Sequence, residues 1–242
     1  MDDVLNFEDY AKKSIYYSSN EKPALHPEVE KIINECKKRF KTVSVFDIGC
    51  GDGNFLNSIA ENVKDVKLYG SDISKTRLDR TIKKLNGKVD ALYLYDASAT
   101  SINQKVEFIN SDQVIEHVPS DIQMVENMYK MLKPKGMFKV SSVYKTGFSW
   151  YFYRCNGKWV LDPTHVREYE SIVEFKKLFT DNGLKINSVK ITPIYFSGID
   201  FILRKIGITN PGPRVDYLKR IINKIKIHKP GYYIITVIGE NS

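Results

Sequence analysis

The stretch VFDIGCGDGNF (45–55) decides how this chain is read. The run VSVF (43–46) has the pattern of a buried strand, and Gly49, Gly51 and Gly53 break it sharply. A helical run, Phe55 to Val63, follows at once. A strand-to-helix turn this rich in glycine lets a ligand approach the backbone closely. The free amides at the helix start favour a polar or negatively charged group. The turn therefore asks for a small ligand carrying a nucleoside or a carboxylate, and the flanking sequence has to say which.

Outward from the turn, strands and helices alternate. Strands are expected at 43–48, VKLYGSD (66–72), ALYLYD (91–96), VEFINSD (106–112) and GMFKVSSV (136–143). Helices are expected at 27–40, 53–63, 74–86 and 121–132, with Ser74 as a cap and with stops at Gly87, Pro134 and Gly136. Residues 1–25 show no clear periodicity and read as an irregular arm. After Val143 comes an aromatic stretch, 144–170, then a helix at 171–183, a strand at 184–196 and a last strand at 231–240. This alternation predicts an α/β fold: a mostly parallel sheet with helices on both faces. Ligands on such sheets bind beyond the carboxyl ends of the strands. That nominates Gly49 to Gly53, Asp72, Asp96 and Ser111 to Gln113.

Composition sets the outer bounds. The 242 residues, 42% hydrophobic and 27% charged, suit one globular domain, expected to span 1–242. No apolar run is long enough to span a bilayer, and the acidic start MDDVLNFEDY carries no leader pattern. Cys36, Cys50 and Cys155 form no C-x-x-C pair, which points to a reducing, cytoplasmic setting without disulfides or a zinc framework. The net charge of +8 is concentrated between Phe201 and Pro230. There Arg204, Lys205, Arg214, Lys219, Arg220, Lys224, Lys226 and Lys229 face one acid, Asp216, leaving the rest of the chain near +1.

Three acids sharpen the ligand. Asp72 ends the second strand, 19 residues after Gly53, where a carboxylate can take both hydroxyls of a ribose. Asp96 ends the third, where it can accept from an adenine amino group. Asp47 sits under the glycine turn, in reach of an ammonium. Together they describe an adenosine attached to an amino acid. A dinucleotide is the rival, but G-x-G-x-x-G needs glycine at Asn54, and the spacing here is G-x-G-x-G.

VFDIGCGDGNF resembles motif I of the class I S-adenosylmethionine (SAM) dependent methyltransferases, LYGSDIS their acidic second motif, and YDAS the third. FINSDQVIEHVPSD and YKMLKPKGMFKVSS are similar to the following segments of the small-molecule, quinone- and glycan-type O-methyltransferase branch, and DPTHVREYESIVEFKKLFTDNGL to its continuation. The ordered match runs over about 43–143. The resemblance implies a Rossmann-like seven-stranded sheet, its last strand antiparallel between the fifth and sixth. It also implies SAM as cofactor. Gly49, Cys50 and Gly51 would line the methionine portion, Asp72 would hold the ribose, Ile73 would pack on the adenine, Asp96 and Ala97 would meet its edge, and Ser111 would flank the sulfonium.

Methyl transfer from a sulfonium is an in-line displacement, and a hydroxyl acceptor must also lose a proton. The fourth motif reads NSDQ and lacks the proline pair used on exocyclic amines of bases, which argues against nucleic acid. His117 in VIEHV and His165 in DPTHVREY are the candidate bases; a histidine that merely bonds a loop is the bland reading of His117. Quinone-type relatives carry E-x-x-E-H linked with a divalent metal. Here Gln113 replaces the first acid, so no metal ligands are assigned although Glu116 remains. The expected acceptor is a small polar or phosphorylated metabolite such as a sugar or glycan precursor. A quinone or lipid-like acceptor, RNA, and SAM binding without catalysis are the alternatives. The insertion 197–230, with Leu218, Ile221, Ile222 and Ile225 at helical spacing, is expected either to pack on the domain or to face an anion, a phosphorylated acceptor before a membrane surface or RNA.

Overall fold

The structure, a computed structural model, describes residues 7–13, 23–99, 102–149, 153–155, 158–162, 164–197 and 226–242. In chain order the elements are α1 (Phe7–Lys13), α2 (Pro27–Arg39), β1 (Val43–Ile48), α3 (Asn54–Asn62), β2 (Val66–Asp72), α4 (Lys75–Leu85), β3 (Ala91–Leu94), β4 (Val106–Asp112), α5 (Asp121–Met131) and β5 (Leu132–Lys145). A short hairpin, β6 (Tyr153–Cys155) and β7 (Lys158–Val160), precedes α6 (Ile172–Thr180), β8 (Leu184–Ser197) and β9 (Lys226–Asn241).

Seven strands form one sheet in the order β3-β2-β1-β4-β5-β9-β8. The first five pair in parallel, and β9 runs antiparallel to both β5 and β8. The last strand thus lies between the fifth and the penultimate large strand, as the resemblance implied. β1 is buried along its whole length because helices cover both faces. On one face Val29, Ile33, Leu56 and Leu78, from α2, α3 and α4, pack on Val45 and Phe108. On the other, Met124 and Met128 of α5 and Phe175 and Phe179 of α6 pack on Phe46, Ile109 and Phe138. Phe138 stacks on Phe179 with ring centroids 5.2 Å apart.

Local signals account for the helix starts. Ser74, Ser120 and Ser171 accept from Arg77 N, Gln123 N and Glu174 N respectively. The last two are S-x-x-Q and S-x-x-E capping patterns. Ser171→Ala should therefore lower stability by about 1 kcal/mol through loss of the α6 cap, read as a shift in the urea midpoint with unchanged slope. An unchanged midpoint would show that α6 is held by its Phe175 and Phe179 face alone.

Three expectations change. The arm 1–25 contains α1, which the sequence hides because tertiary contacts hold it: Glu8 accepts from the Ser74 hydroxyl at 2.7 Å and from Thr76, at the start of α4. β5 begins at Leu132, directly after α5, and its register against β4 shifts where Pro134 interrupts the ladder. The aromatic stretch holds the β6–β7 hairpin, and its Tyr144 and Tyr169 pack against the α5–α6 core. Trp150, Tyr151 and Phe152 lie outside the described residues, as does the helix expected over Leu218 to Ile225. Lys226 and Lys229 are strand residues of β9. Among the described residues no helix is long and apolar enough to cross a membrane.

Candidate active site

The carboxyl ends of β1, β2, β3 and β4 open onto two cavities, of about 510 Å³ and about 500 Å³, that share Gly49 and Asp112 as a common wall. Gly49 has φ 70°, and a side chain there would overlap Val114. Its glycine character is thus required both by the left-handed turn and by the loop packed on it. Gly53, with φ 73°, occupies the N-cap of α3, where a side chain would overlap Thr81 of α4.

The first cavity takes in Asp72, Ile73, Asp96, Ala97 and His117. Asp72 is buried; Oδ2 accepts from Gly51 N and Oδ1 from Ser74 N, both at 2.9 Å. Each oxygen keeps a further lone pair for a ligand hydroxyl. Burial raises the Asp72 carboxyl above its ordinary value. β3 ends at Leu94, so Asp96, expected to end that strand, lies two residues beyond it, where its Oδ1 accepts from Ser98 N at 2.8 Å. Ile73 is 51% exposed, an apolar side chain held out on the cavity wall.

Asp47, Gly49 and Cys50 line the second cavity. Asp47 Oδ1 accepts from Asn110 Nδ2 at 2.7 Å, and burial pushes the Asp47 carboxyl up to about 8. Gly51 lines neither cavity; its amide holds Asp72. Ser111 also lines neither. It is fully buried beneath the site with its Oγ unpartnered, because the strand alternation turns it to the α5–α6 face while Asn110 and Asp112 point the other way.

The two histidines meet although they lie far apart in sequence. His117 and His165 rings are 4.8 Å apart, edge to face. His117 is on the cavity wall; His165, buried, stands behind it. The loop after β4 is fastened to the 162–169 segment by Arg167, which donates to the carbonyls of Ile115, Val118 and Pro119. Thr164 Oγ1 donates to Asp162 at 2.6 Å, so His117 Nδ1 must itself carry the proton that meets Thr164 O at 3.2 Å. That makes Nε2 the unprotonated nitrogen of the His117 ring. His165 Nδ1 bonds Glu168 Oε1 at 2.8 Å, and Glu168 pairs in turn with Lys145 at 3.2 Å. Burial, followed by the neighbouring His165, lowers the His117 pKa, which keeps its imidazole neutral.

Glu116 completes the group. Its Oε2 accepts from Ser142 at 2.9 Å, its Oε1 is buried without a partner, and burial pushes its carboxyl up to about 7. Glu116, His117 and His165 each offer a ligand atom within 4.8 Å of the others. These are three acceptors with their outer atoms already engaged, a set that fits a divalent cation or a shared proton. The sequence assigned no metal ligands because this grouping joins the loop after β4 to the 162–169 segment.

Sequence reasoning passed over Val114, Glu168, Asn110 and Lys139. Lys139 carried a signal: a charge inside the apolar strand GMFKVSSV has to point at something polar.

A family described as "Methyltransferase domain" matches residues 20–189. The chain is similar to the ubiquinone biosynthesis O-methyltransferase of Rickettsia typhi, at 22% identity over 188 residues, covering 68% of this chain and 70% of that protein. The similarity to its counterpart from Bartonella tribocorum, 24% identical, covers 61% of this chain and 62% of that one. Among solved structures, phosphoethanolamine N-methyltransferase 2 of Haemonchus contortus in complex with SAM superposes with a TM-score of 0.62 at 11% identity, over 99% of this chain and 60% of that one. The fold, the glycine turn with an acid at the end of the next strand, and a family match over most of the length agree: the chain belongs to the methyltransferase-domain family and is a class I SAM-dependent methyltransferase.

Proposed function

We propose that the protein transfers the methyl group of SAM to a hydroxyl oxygen of a small polar acceptor, of which a sugar or glycan precursor is the class expected from the sequence. The supporting observation is His117: an imidazole kept neutral on the cavity wall, its Nδ1 turned to Thr164 O, in the cavity that also contains Asp72 and Asp96. In this reading Asp72 holds the ribose, Asp96, Ala97 and Ile73 the adenine, and Gly49 and Cys50 the methionine portion, with Asp47 facing its ammonium, while Gly51 holds Asp72 in place. Asp112, on the wall between the cavities, is better situated than buried Ser111 to lie near the sulfonium. The acceptor oxygen attacks the methyl carbon as the carbon–sulfur bond breaks, and His117 Nε2 takes the hydroxyl proton. His165 and Glu168 hold His117 in place from behind. A divalent cation held by Glu116, His117 and His165 is the alternative to that proton transfer: it would occupy the same His117 Nε2 lone pair and would polarise the acceptor oxygen instead.

A quinone hydroxyl is the second reading. It is favoured by the names of the curated relatives and by Val114, Val118, Pro119 and Val166 on the walls around His117. Transfer of labelled methyl from SAM to separate pools of sugar metabolites, quinone precursors and RNA tests the proposal. Label in a sugar pool supports it, label in a quinone pool moves it to the second reading, and label in RNA or in none overturns it. The last outcome has a precedent in this fold, since the [4+2]-cyclase SpnF superposes with a TM-score of 0.58 at 15% identity, over 98% of this chain and 92% of that one.

Asp47 gives this reading a pH signature. Without cofactor its carboxyl is mostly protonated below pH about 8. An ammonium beside it favours the carboxylate, so SAM binding at pH 7 should release close to one proton, falling towards none above pH about 9. Calorimetry in two buffers of different ionisation enthalpy measures the release; heats independent of buffer would remove Asp47 from the ammonium. Because Asp47 and Glu116 are both raised above their unfolded values, the stability they confer on the free protein is full in acid. It declines as the pH rises above the ordinary carboxylate range and is gone once the pH has passed about 7 for Glu116 and about 8 for Asp47.

A further inference from the structure

From the second cavity we infer an anion-binding subsite, built on Lys139 and Lys190, for a carboxylate or phosphate carried by the acceptor. The inference rests on the reading of the site as that of a small-molecule methyltransferase.

The cavity is a groove along the sheet face that carries α2, crossing strands from Asp47 on β1 to Lys190 and Thr192 on β8. Strand pairing lines up its floor. Asp47 is opposite Asn110, Asn110 opposite Lys139, and Thr236 opposite Lys190. Four strand spacings separate β1 from β8, about 19 Å at about 4.8 Å each. A methionyl tail reaches only about 6 Å by its bond lengths. Anchored at Gly49, it covers β1 and β4 and leaves the floor of β5, β9 and β8 open.

The charge along the groove is divided. Asp47 and Asp112 stand at the β1–β4 end, where a sulfonium and an ammonium suit them; Glu28 adds a third acid from α2. Both lysines stand farther out. Lys139 favours the ionised form of Asp47 through space, yet neither it nor Lys190 makes a hydrogen bond or ion pair with a described residue. Asp112 accepts from Ser141 instead. An independent sign of a polar occupant is Asn110. This residue is 1% exposed and on the groove wall; its Nδ2 donates to Asp47 while its Oδ1 is buried without a partner. A buried acceptor left unpaired costs about 1–3 kcal/mol; the donor that would relieve it is an ammonium beside Asp47, which keeps the cofactor's tail at the β1–β4 end and leaves the lysines to another group. Thr192 and Thr236 add hydroxyls beside the lysines. Two ammonium groups flanked by hydroxyls, neither ion-paired with a carboxylate of the described residues, are the chemistry that takes a carboxylate or phosphate.

The test uses the full chain and inorganic phosphate at low ionic strength, with and without saturating S-adenosylhomocysteine. Saturable phosphate binding that persists with the nucleoside bound is expected. Lys139→Met and Lys190→Met should each weaken it at least tenfold, with nucleoside affinity changed less than twofold in Lys190→Met. Malonate titrated in parallel tells a carboxylate acceptor from a phosphorylated one. Competition between phosphate and the nucleoside would assign the lysines to the cofactor's own carboxylate and overturn the inference. So would absence of saturable binding of either anion, or binding indifferent to both substitutions, which would put the anion elsewhere on this basic chain. Lys190 is exposed, so its variant keeps the fold test independent of the half-buried Lys139. Loss of nucleoside binding by the unsubstituted protein would instead strike at the reading of the site itself.

Discussion

Asp72→Ala should weaken SAM binding at least about thirtyfold, roughly 2 kcal/mol, by two routes. The carboxylate would no longer accept from the ribose hydroxyls, and the amides of Gly51 and Ser74 would lose the acceptor they share. The first is a ligand effect; the second loosens the glycine turn and the start of α4, and each stranded amide costs about 1–3 kcal/mol if it stays dry. The variant should therefore lose thermal stability without cofactor as well as affinity for it. Asp72→Asn separates the two routes: its single carbonyl oxygen can replace one amide contact, and stability should recover further than affinity. Calorimetry that finds SAM affinity within threefold of the original in Asp72→Ala would take the ribose away from this residue.

His117→Ala should slow methyl transfer by about 10² to 10⁴ in kcat, the range for loss of a positioned general base, and leave SAM affinity within about twofold. His165→Ala has a smaller expected effect, about tenfold, because His165 acts through His117 and lies behind the cavity wall. Its diagnostic is the pH profile. The charge of His165 helps to lower the His117 pKa. Removing it raises that pKa, so the neutral base becomes available only at higher pH and the acid limb of kcat moves upward. A merely structural role for His165 would lower the rate without moving that limb. Full activity in His117→Ala would leave catalysis to alignment alone, and a larger loss in His165→Ala than in His117→Ala would reverse the two roles.

Lys145 and Glu168 explain how a histidine that far back can matter. The Glu168 side chain is completely buried; it accepts from Leu161 N, bonds His165 and pairs with Lys145. A buried charge left without its partner is costly. The network thus holds the 164–169 segment in one position, and Arg167 fastens the loop carrying His117 to it.

The local sequence by itself determined the strands from Val43 to Asp112 to within two residues, the serine cap of α4, and the glycine turn after β1. Each of these is written in short-range terms: an apolar strand run, a capping hydroxyl, glycines needed at positive φ, and an acid at a strand end. The parallel sheet followed from the alternation, and its antiparallel final strand from the resemblance of the ordered motifs. Short-range patterns could not show what depends on contacts between distant segments. α1 exists because Glu8 meets the start of α4. Ser111 and Asn110 are neighbours in the chain, yet strand alternation sends one into the core and the other onto the groove. The tertiary structure alone brought Glu116, His117 and His165 within 4.8 Å, and lined up Asp47, Asn110 and Lys139 across three strands, with Lys190 farther along the same face. Register between strands is a property of the assembled sheet, and sequence spacing carries no record of which residues it will set side by side.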